Sequence, residues 1–214
     1  LHSEADEYTA LPVALTPSSP PDPGQQKPAI EAWGAALVEA HPNWPREPVG
    51  DLLRRVAPRT RSGGPLAPVT LAADGEPDRI SAVTASLLDL DRSYLAVQGP
   101  PGTGKTHLGA HVIAALVRDH GWKVGVVAQS HTTVEHVLAS IVEKAGLDPR
   151  LVAKAPKTGA DPADYATAPY TVLGKADQLA AFAAERAADR AGPGRSGAGR
   201  GGYVIGGTAW DFAH

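Results

Sequence analysis

One segment of the sequence combines glycines, a lysine and a threonine at a spacing that can bind phosphate. Residues 99–106 read GPPGTGKT and match G-x-x-x-x-G-K-[ST] at every position. Glycines let the backbone curl around an anion, and the helix that follows such a loop directs its N-terminus at the same phosphates. Lys105 is predicted to reach the β- and γ-phosphates, and the Thr106 hydroxyl to ligate Mg²⁺. The predicted nucleotide contacts are Gly99, Pro100, Pro101, Gly102, Thr103, Gly104, Lys105 and Thr106, with the last two predicted to act in catalysis.

Phosphate binding by this loop requires a strand before it and a helix after it. Residues 94–98 form a short apolar run of strand type, and apolar residues from 108 to 116 recur at helical spacing until Gly121. A second strand is predicted over Val124–Ala128. A helix is predicted over Thr132–Lys144, where Thr132 and Glu135 match a capping box. Alternating strands and helices with fully apolar strands predict an α/β fold, a parallel sheet flanked by helices.

The remaining segments divide the chain into two parts. Residues 1–69 are rich in proline and are predicted to be an extended arm and a helical stalk, because proline fixes φ and removes a donor. Residues 70–214 hold the phosphate loop. Further helices are predicted over 29–40, 49–56, 80–88 and 175–190, and further strands over 151–155 and 203–206. The Gly- and Arg-rich loop 191–202 is interpreted as a flexible linker in preference to a phosphate-tracking segment.

The composition excludes several classes of protein. The 214 residues include no cysteine, which excludes disulfides, thiolate-metal clusters and a cysteine nucleophile. A net charge of −3 provides no overall field for nucleic acid, so any such binding must be local. No apolar stretch approaches the ~20 residues of a membrane span, and the first residues are acidic where a signal peptide is basic. We expect a soluble, cytoplasmic protein.

A second candidate site follows the second predicted strand. Gln129, Ser130 and His131 come at its carboxyl end, the edge at which open α/β sheets bind ligands. Hydroxyls and helix-start amides at that edge can hold a second anion, such as a nucleic-acid phosphate. A polar turn with a good helix cap explains the same residues equally well, so both interpretations stay open.

Two motifs together resemble a known family. GPPGTGKT followed by VVAQSHTTVEHVL, residues 126–138, resembles motif I and motif Ia of superfamily 1 helicases of the Upf-like branch. The resemblance implies a RecA-like domain, ATP with Mg²⁺ as cofactors, and contact of Gln129, Ser130 and His131 with single-stranded DNA or RNA. Residues 203–210, YVIGGTAW, resemble the next family segment, in which Thr208 matches a residue that faces the bound strand. Residues 44–68 resemble the region upstream of such a helicase in bacterial fusions to a RecB-like nuclease.

The sequence departs from the family at two points. Arg79 stands where the family has an adenine-reading glutamine; as a cofactor-binding residue it could stack on a base. No apolar strand ends in the Asp-Glu pair of a Walker B motif; Asp161, Asp164 and Asp211 do not follow such runs. Because the sequence also lacks methionine, we expect a piece of a longer protein, with weak nucleotide binding and negligible turnover by itself.

The sequence therefore favours the ATP-binding part of an ATP-dependent DNA or RNA helicase, an incomplete RecA-like P-loop NTPase domain. Three alternatives remain: a nucleotide-dependent binding or regulatory module without hydrolysis, an AAA+ ATPase, and a small-molecule P-loop kinase. His107 and His111 lie four residues apart, a spacing that can grip a metal, but without a third ligand packing is the favoured interpretation. Oligomeric state is not predicted.

Overall fold

A computed structural model describes residues 22–157, 159–174, 178–188 and 201–212. The predictions for the first part of the arm, for both ends of the helix predicted over 175–190 and for most of the Gly- and Arg-rich loop lie outside these residues. Among the residues that the structure describes, no helix has the length and apolar character that crossing a bilayer requires.

The described elements follow the predicted alternation of strands and helices after the loop. In chain order they are α1 (Gln26–Ala40), α2 (Pro48–Arg54), β1 (Thr70–Leu71), β2 (Pro77–Asp78), α3 (Arg79–Asp89), α4 (Lys105–His120), β3 (Lys123–Ala128), α5 (His131–Glu143), β4 (Val152–Lys154), β5 (Thr171–Val172), α6 (Gln178–Ala188) and β6 (Tyr203–Thr208). Two short 3-10 helices, Pro149–Leu151 and Pro162–Tyr165, flank β4. The small antiparallel pair β1–β2 was not predicted from the sequence.

The main sheet has four parallel strands in the order β3-β6-β4-β5. The predicted α/β class, a parallel sheet flanked by helices, is therefore confirmed. β6 lies between β3 and β4, where Gly206 is opposite Val126 on one side and Lys154 on the other. Since carboxyl ends of parallel strands meet at one edge, the residues that follow β3, β4 and β6 come together there.

Helix α5 packs directly on β6 because β6 has no side chain at Gly206. A Cβ atom at that position would lie 2.6 Å from Leu138 Cδ1 and 2.7 Å from Val134 Cγ1. Val134 and Leu138 are fully buried, with Val204 beneath them on the same face of the sheet. The glycine thus allows a close helix-to-sheet contact that places the start of α5 at the carboxyl edge.

Helix α2 is attached to the chain segment that leads into the phosphate loop. Asp51 is buried, forms an ion pair with Arg59, and accepts a 3.2 Å hydrogen bond from Ser93 Oγ. The Tyr94 hydroxyl donates to the Val56 carbonyl over 2.9 Å. The predicted stalk and the loop segment are therefore joined by partly buried polar contacts, in which Arg59 has a structural role.

Three local predictions were wrong. Residues 94–98 form no strand, because no described strand lies beside them; Leu95 and Val97 instead line an apolar cavity of about 350 Å³ between α3 and α4. Thr132 does not cap α5, because Ser130 is the N-cap and accepts from Thr133 N. The helix predicted over 29–40 begins earlier, at Gln26, so that Pro28 lies inside the first turn of α1, where its missing N–H would have no helical partner.

The burial of Leu138 predicts a large loss of stability on truncation. Leu138→Ala should lower the free energy of unfolding by about 2 to 5 kcal/mol, because the cavity under α5 cannot fully collapse. Leu53→Ala is the matched control, since Leu53 is 66% exposed on α2. Urea denaturation measures both; equal losses would contradict the assignment of the core to the α5–β6 contact.

Candidate functional site

The phosphate loop turns into α4 through two glycines in the left-handed region. Gly102 and Gly104 both have φ of +81°, and Gly104 is the N-cap of α4, which begins at Lys105. No atom lies within 4 Å of a Cβ built at either position, so glycine is required there for its backbone conformation and not for space. The first amides of α4 consequently face the interior of the loop.

Lys105 is folded over the mouth of the loop. Its Nζ donates to the carbonyl oxygens of Gly99 over 2.5 Å and of Pro100 over 2.7 Å, and Thr103 Oγ1 donates to Pro100 over 2.8 Å. These are neutral carbonyl partners on an exposed ammonium, and an anionic phosphate is a stronger acceptor for the same group. The lysine is thus within reach of a phosphate held by the loop. Thr106, the second residue of α4, is half-buried.

The loop opens into a cavity of about 870 Å³, within the upper range of ligand sites. Its walls are the loop, the first turn of α4, the residues just before the loop, the β1–β2 hairpin and the start of α3. Arg79, which the sequence proposes as a base contact, lines this cavity together with Lys105. Pro101, Gly102 and Thr106 do not line it. Sequence reasoning missed the hairpin carboxylates Asp74, Glu76 and Asp78, whose only signal was a turn-type GEPD segment.

At the carboxyl edge of the sheet, the predicted nucleic-acid contacts differ in accessibility. Gln129 and Ser130 are exposed, and His131 is half-buried. Thr208 is only 6% exposed, and Asp211 Oδ2 accepts from both its backbone N–H over 2.6 Å and its Oγ1 over 2.8 Å. The Thr208 hydroxyl proton is therefore already engaged inside the protein. The accessible part of this edge is the β3–α5 turn.

A buried charged pair supports that turn from below. Lys154 at the end of β4 is completely buried; its Nζ lies 3.2 Å from Glu135 Oε1 on α5 and donates to the Ala155 carbonyl over 2.9 Å. The same ammonium lies 5.1 Å from the centre of the Tyr165 ring. A buried lysine is stable only when paired in this way. The sequence signal for this pair was a lysine at the end of an apolar strand. The Glu135 carboxylate pairs with Lys154 and does not take part in the predicted capping box.

His131 lies between charged groups of this cluster. Burial lowers the pKa of its imidazole, and the positive charge of Lys154 lowers it further, against the opposing effect of the Asp211 and Glu135 carboxylates. Its Nδ1 atom is buried and has no hydrogen-bond partner within the described residues. The imidazole is therefore kept neutral at pH values where an exposed histidine would begin to protonate.

The remaining candidate ligands form no metal site in the described part of the chain. The rings of His107 and His111 pack with centroids 4.1 Å apart, and the Nδ1 of His111 lies 2.9 Å from the His107 carbonyl oxygen. No group of three or more His, Cys, Asp or Glu side chains among the described residues could hold a metal ion. Asp161 caps a short 3-10 helix. It does not line the loop cavity, and neither do Asp164 and Asp211.

Comparison with known proteins found partial similarity to two regulators of nonsense transcripts and to an ATP-dependent helicase. The chain is 44% identical over 52 residues to a Regulator of nonsense transcripts 1 homolog of Drosophila melanogaster, covering 24% of the chain and 4% of that protein. It is 36% identical over 66 residues to the ATP-dependent helicase NAM7 of Saccharomyces cerevisiae, covering 31% and 7%. A putative regulator of nonsense transcripts 1 from Takifugu rubripes is 39% identical over 90 residues, covering 41% and 8%.

These similarities support the Upf-like helicase resemblance at the level of the group. The chain spans less than a tenth of the length of these relatives. No family model matches the chain, and no solved structure matches it. None of the three relatives' names refers to a nuclease, so the suggested RecB-like fusion has no support among them.

The lowered pKa of His131 predicts a loss of stability on acidification. Below about pH 6.5 the imidazole binds a proton in the unfolded state but stays neutral in the folded state, because its pKa there is lower. Proton binding therefore stabilises the unfolded state, and the free energy of unfolding decreases as the pH falls through the folded pKa. His131→Gln should remove this part of the pH dependence, whereas His136→Gln, on an exposed histidine of the same helix, should keep it. Urea denaturation at about one unit above and below pH 6.5 measures the difference. An NMR titration that places the His131 pKa at or above about 6.5, the ordinary value for histidine, would contradict this explanation.

Proposed function

We propose that this chain is the ATP-binding part of an ATP-dependent helicase that moves on single-stranded nucleic acid, with a RecA-like fold. The observation that carries the proposal is the loop 99–106, which enters α4 through left-handed glycines and opens into a cavity of nucleotide size. The partial similarity to ATP-dependent helicases supports the same class.

The proposal gives Lys105, Thr106 and the first amides of α4 distinct parts in nucleotide binding. The first amides of α4 bind phosphate oxygens, and Lys105 exchanges the carbonyls of Gly99 and Pro100 for the β- and γ-phosphates. Mg²⁺ supplies neutralisation of the phosphate charge when it is bound, and the Thr106 hydroxyl is the residue that would hold it. The loop residues fit a triphosphate with Mg²⁺, since the Lys105 ammonium and the first amides of α4 are donors at the mouth of the loop.

The nucleic-acid part of the proposal uses the β3–α5 turn. Helix α4 connects to β3 through a tight turn at Gly121, so the N-termini of α4 and α5 both point to the carboxyl edge of the sheet. Exposed Gln129 and Ser130 at the start of α5 are suited to phosphate oxygens of a single strand. His131 and Thr208 serve this interface as supporting residues, and both DNA and RNA remain candidates.

A nucleotide-dependent binding module that does not hydrolyse is the second candidate. It is favoured by one observation: the carboxylates that line the loop cavity within the described residues belong to the β1–β2 hairpin and the start of α3, not to a strand beside the loop. An AAA+ ATPase is disfavoured, because β4, the strand within residues 152–170, ends in Lys154 and not in an acidic residue.

Lys105→Ala tests nucleotide binding. It should weaken binding of Mg²⁺ and ATPγS by about tenfold or more, because a charge-assisted contact to phosphate is lost. Lys144→Ala, on an exposed lysine at the end of α5, should bind as the wild type does. Isothermal titration calorimetry measures both; unchanged affinity in Lys105→Ala would remove the basis of the proposal. In a longer protein that contains this chain, the same substitution should abolish nucleic-acid-stimulated ATPase activity.

Ser130→Asp tests the nucleic-acid interface. Aspartate caps a helix as well as serine does, so α5 should stay folded, but the added negative charge should repel phosphate and weaken binding several-fold. Ser130→Asn keeps the cap without the charge and is the matched control. Fluorescence anisotropy with labelled oligo(dT) and oligo(U) at low salt measures binding. Equal affinity of both variants would place the nucleic acid elsewhere.

A further inference from the structure

The loop cavity has a second end that the phosphates do not occupy. There the β1–β2 hairpin and the start of α3 face the loop, with Glu76 and Arg79 among the lining residues. Pro77, Ile80 and Val97 add apolar surface to the same cavity, on which a planar ring can lie. The base of a nucleotide whose phosphates were bound by the loop would lie in this remaining part of the cavity.

Of the four charged side chains at this end of the cavity, two accept hydrogen bonds from backbone N–H groups of the protein. Asp78 caps α3 by accepting from Ser81 N over 2.9 Å, and Asp74 accepts from Glu76 N over 3.1 Å. The side chains of Glu76 and Arg79, in contrast, make no hydrogen bond or ion pair to any residue in the described ranges, including each other. The cavity therefore presents two charged groups that are not bonded to each other: the planar guanidinium of Arg79, with its donors, and the carboxylate of Glu76, with two acceptor oxygens.

Guanine matches these two groups better than adenine does. Guanine carries two adjacent acceptors, O6 and N7, which suit a guanidinium fork, and two adjacent donors, N1–H and the N2 amino group, which suit a carboxylate. In adenine the N6 amino donor lies between two acceptors, N7 and N1, so that each charged group could form only one hydrogen bond. A guanidinium bonded to N7 would also have its second donor facing the amino group, which is itself a donor. An amide side chain, which carries one donor and one acceptor, is the group that suits adenine.

We propose that this site prefers guanine nucleotides over adenine nucleotides, with Arg79 and Glu76 as the specificity-determining residues. The inference rests on the proposed function in requiring that the loop bind a nucleoside triphosphate, and it replaces ATP by a guanine nucleotide as the preferred one. Arg79 reads O6 and N7, and Glu76 reads N1–H and the N2 amino group. The base-reading end is thus chemically independent of the phosphate-binding end.

The test compares unlabelled GTPγS and ATPγS with Mg²⁺ by calorimetry on the 214-residue chain. The wild type should bind GTPγS about fivefold or more tightly than ATPγS, the low end of the discrimination expected for a bidentate base contact. Inosine triphosphate, which lacks the N2 amino group, and 7-deaza-GTP, which lacks N7, should both bind more weakly than GTP.

Two substitutions assign the preference to its residues. Arg79→Gln should abolish or reverse the preference for guanine and should remove the penalty for 7-deaza-GTP. Glu76→Gln should bind GTP and inosine triphosphate alike. Arg118→Gln on α4 and Glu39→Gln on α1, both exposed and outside the cavity, should keep the wild-type preference.

The outcomes separate this inference from the proposed function. Mg²⁺-dependent binding with equal or tighter affinity for ATPγS would overturn the guanine preference and leave the nucleotide site intact. A guanine preference that survives Arg79→Gln and Glu76→Gln would overturn the assignment to these residues. Absence of binding for every nucleotide would overturn the proposed function and, with it, this inference.

Discussion

The contact between β6 and α5 at Gly206 is the constraint on which the rest of the structure depends. β6 bonds to β3 on one side and to β4 on the other, so the three strands share one register through it. A side chain at Gly206 would collide with Val134 and Leu138, and the helix would have to move away from the sheet. The direction of α5, the position of its first turn and the meeting of three strand ends therefore all follow from one missing Cβ atom. The pairing joins residues about eighty positions apart, so the carboxyl edge forms only once this long-range contact does.

Electrostatics adds a second constraint at the same edge. The buried Lys154 must remain paired, and its partner Glu135 lies one turn into α5, so the charge pair pins the start of that helix to β4. The positive charge of Lys154 also helps to keep His131 neutral. The interface proposed for a phosphate backbone thus rests on a neutral imidazole and helix amides, with the Lys154 charge buried behind them. Such a surface can bind an anion locally in a chain whose net charge is −3.

The sequence predicted what depends on local pattern. The phosphate loop follows from its residue types, and α3, α4 and α5 follow from apolar residues at helical spacing, because both signals lie within a few turns of chain. It failed where a distant contact decides. Glu135 matched a capping box, but its carboxylate pairs with Lys154, which lies on strand β4. Residues 94–98 have the composition of a strand, but a strand also requires a neighbour to bond with, and composition carries no information about that neighbour.

The two ends of the proposed nucleotide cavity differ in how well the sequence alone predicts them. Its phosphate end is a contiguous loop, which is why eight residues suffice to predict it and why a resemblance can be seen there. Its base end is assembled from a hairpin and a helix start some twenty-five residues upstream, joined to the loop only by folding. In the proposed site, an arginine at the base end, where an amide would suit adenine, changes which hydrogen-bond pattern fits, while the loop geometry stays the same. Phosphate binding and base preference are in this sense separable properties of the proposed nucleotide site.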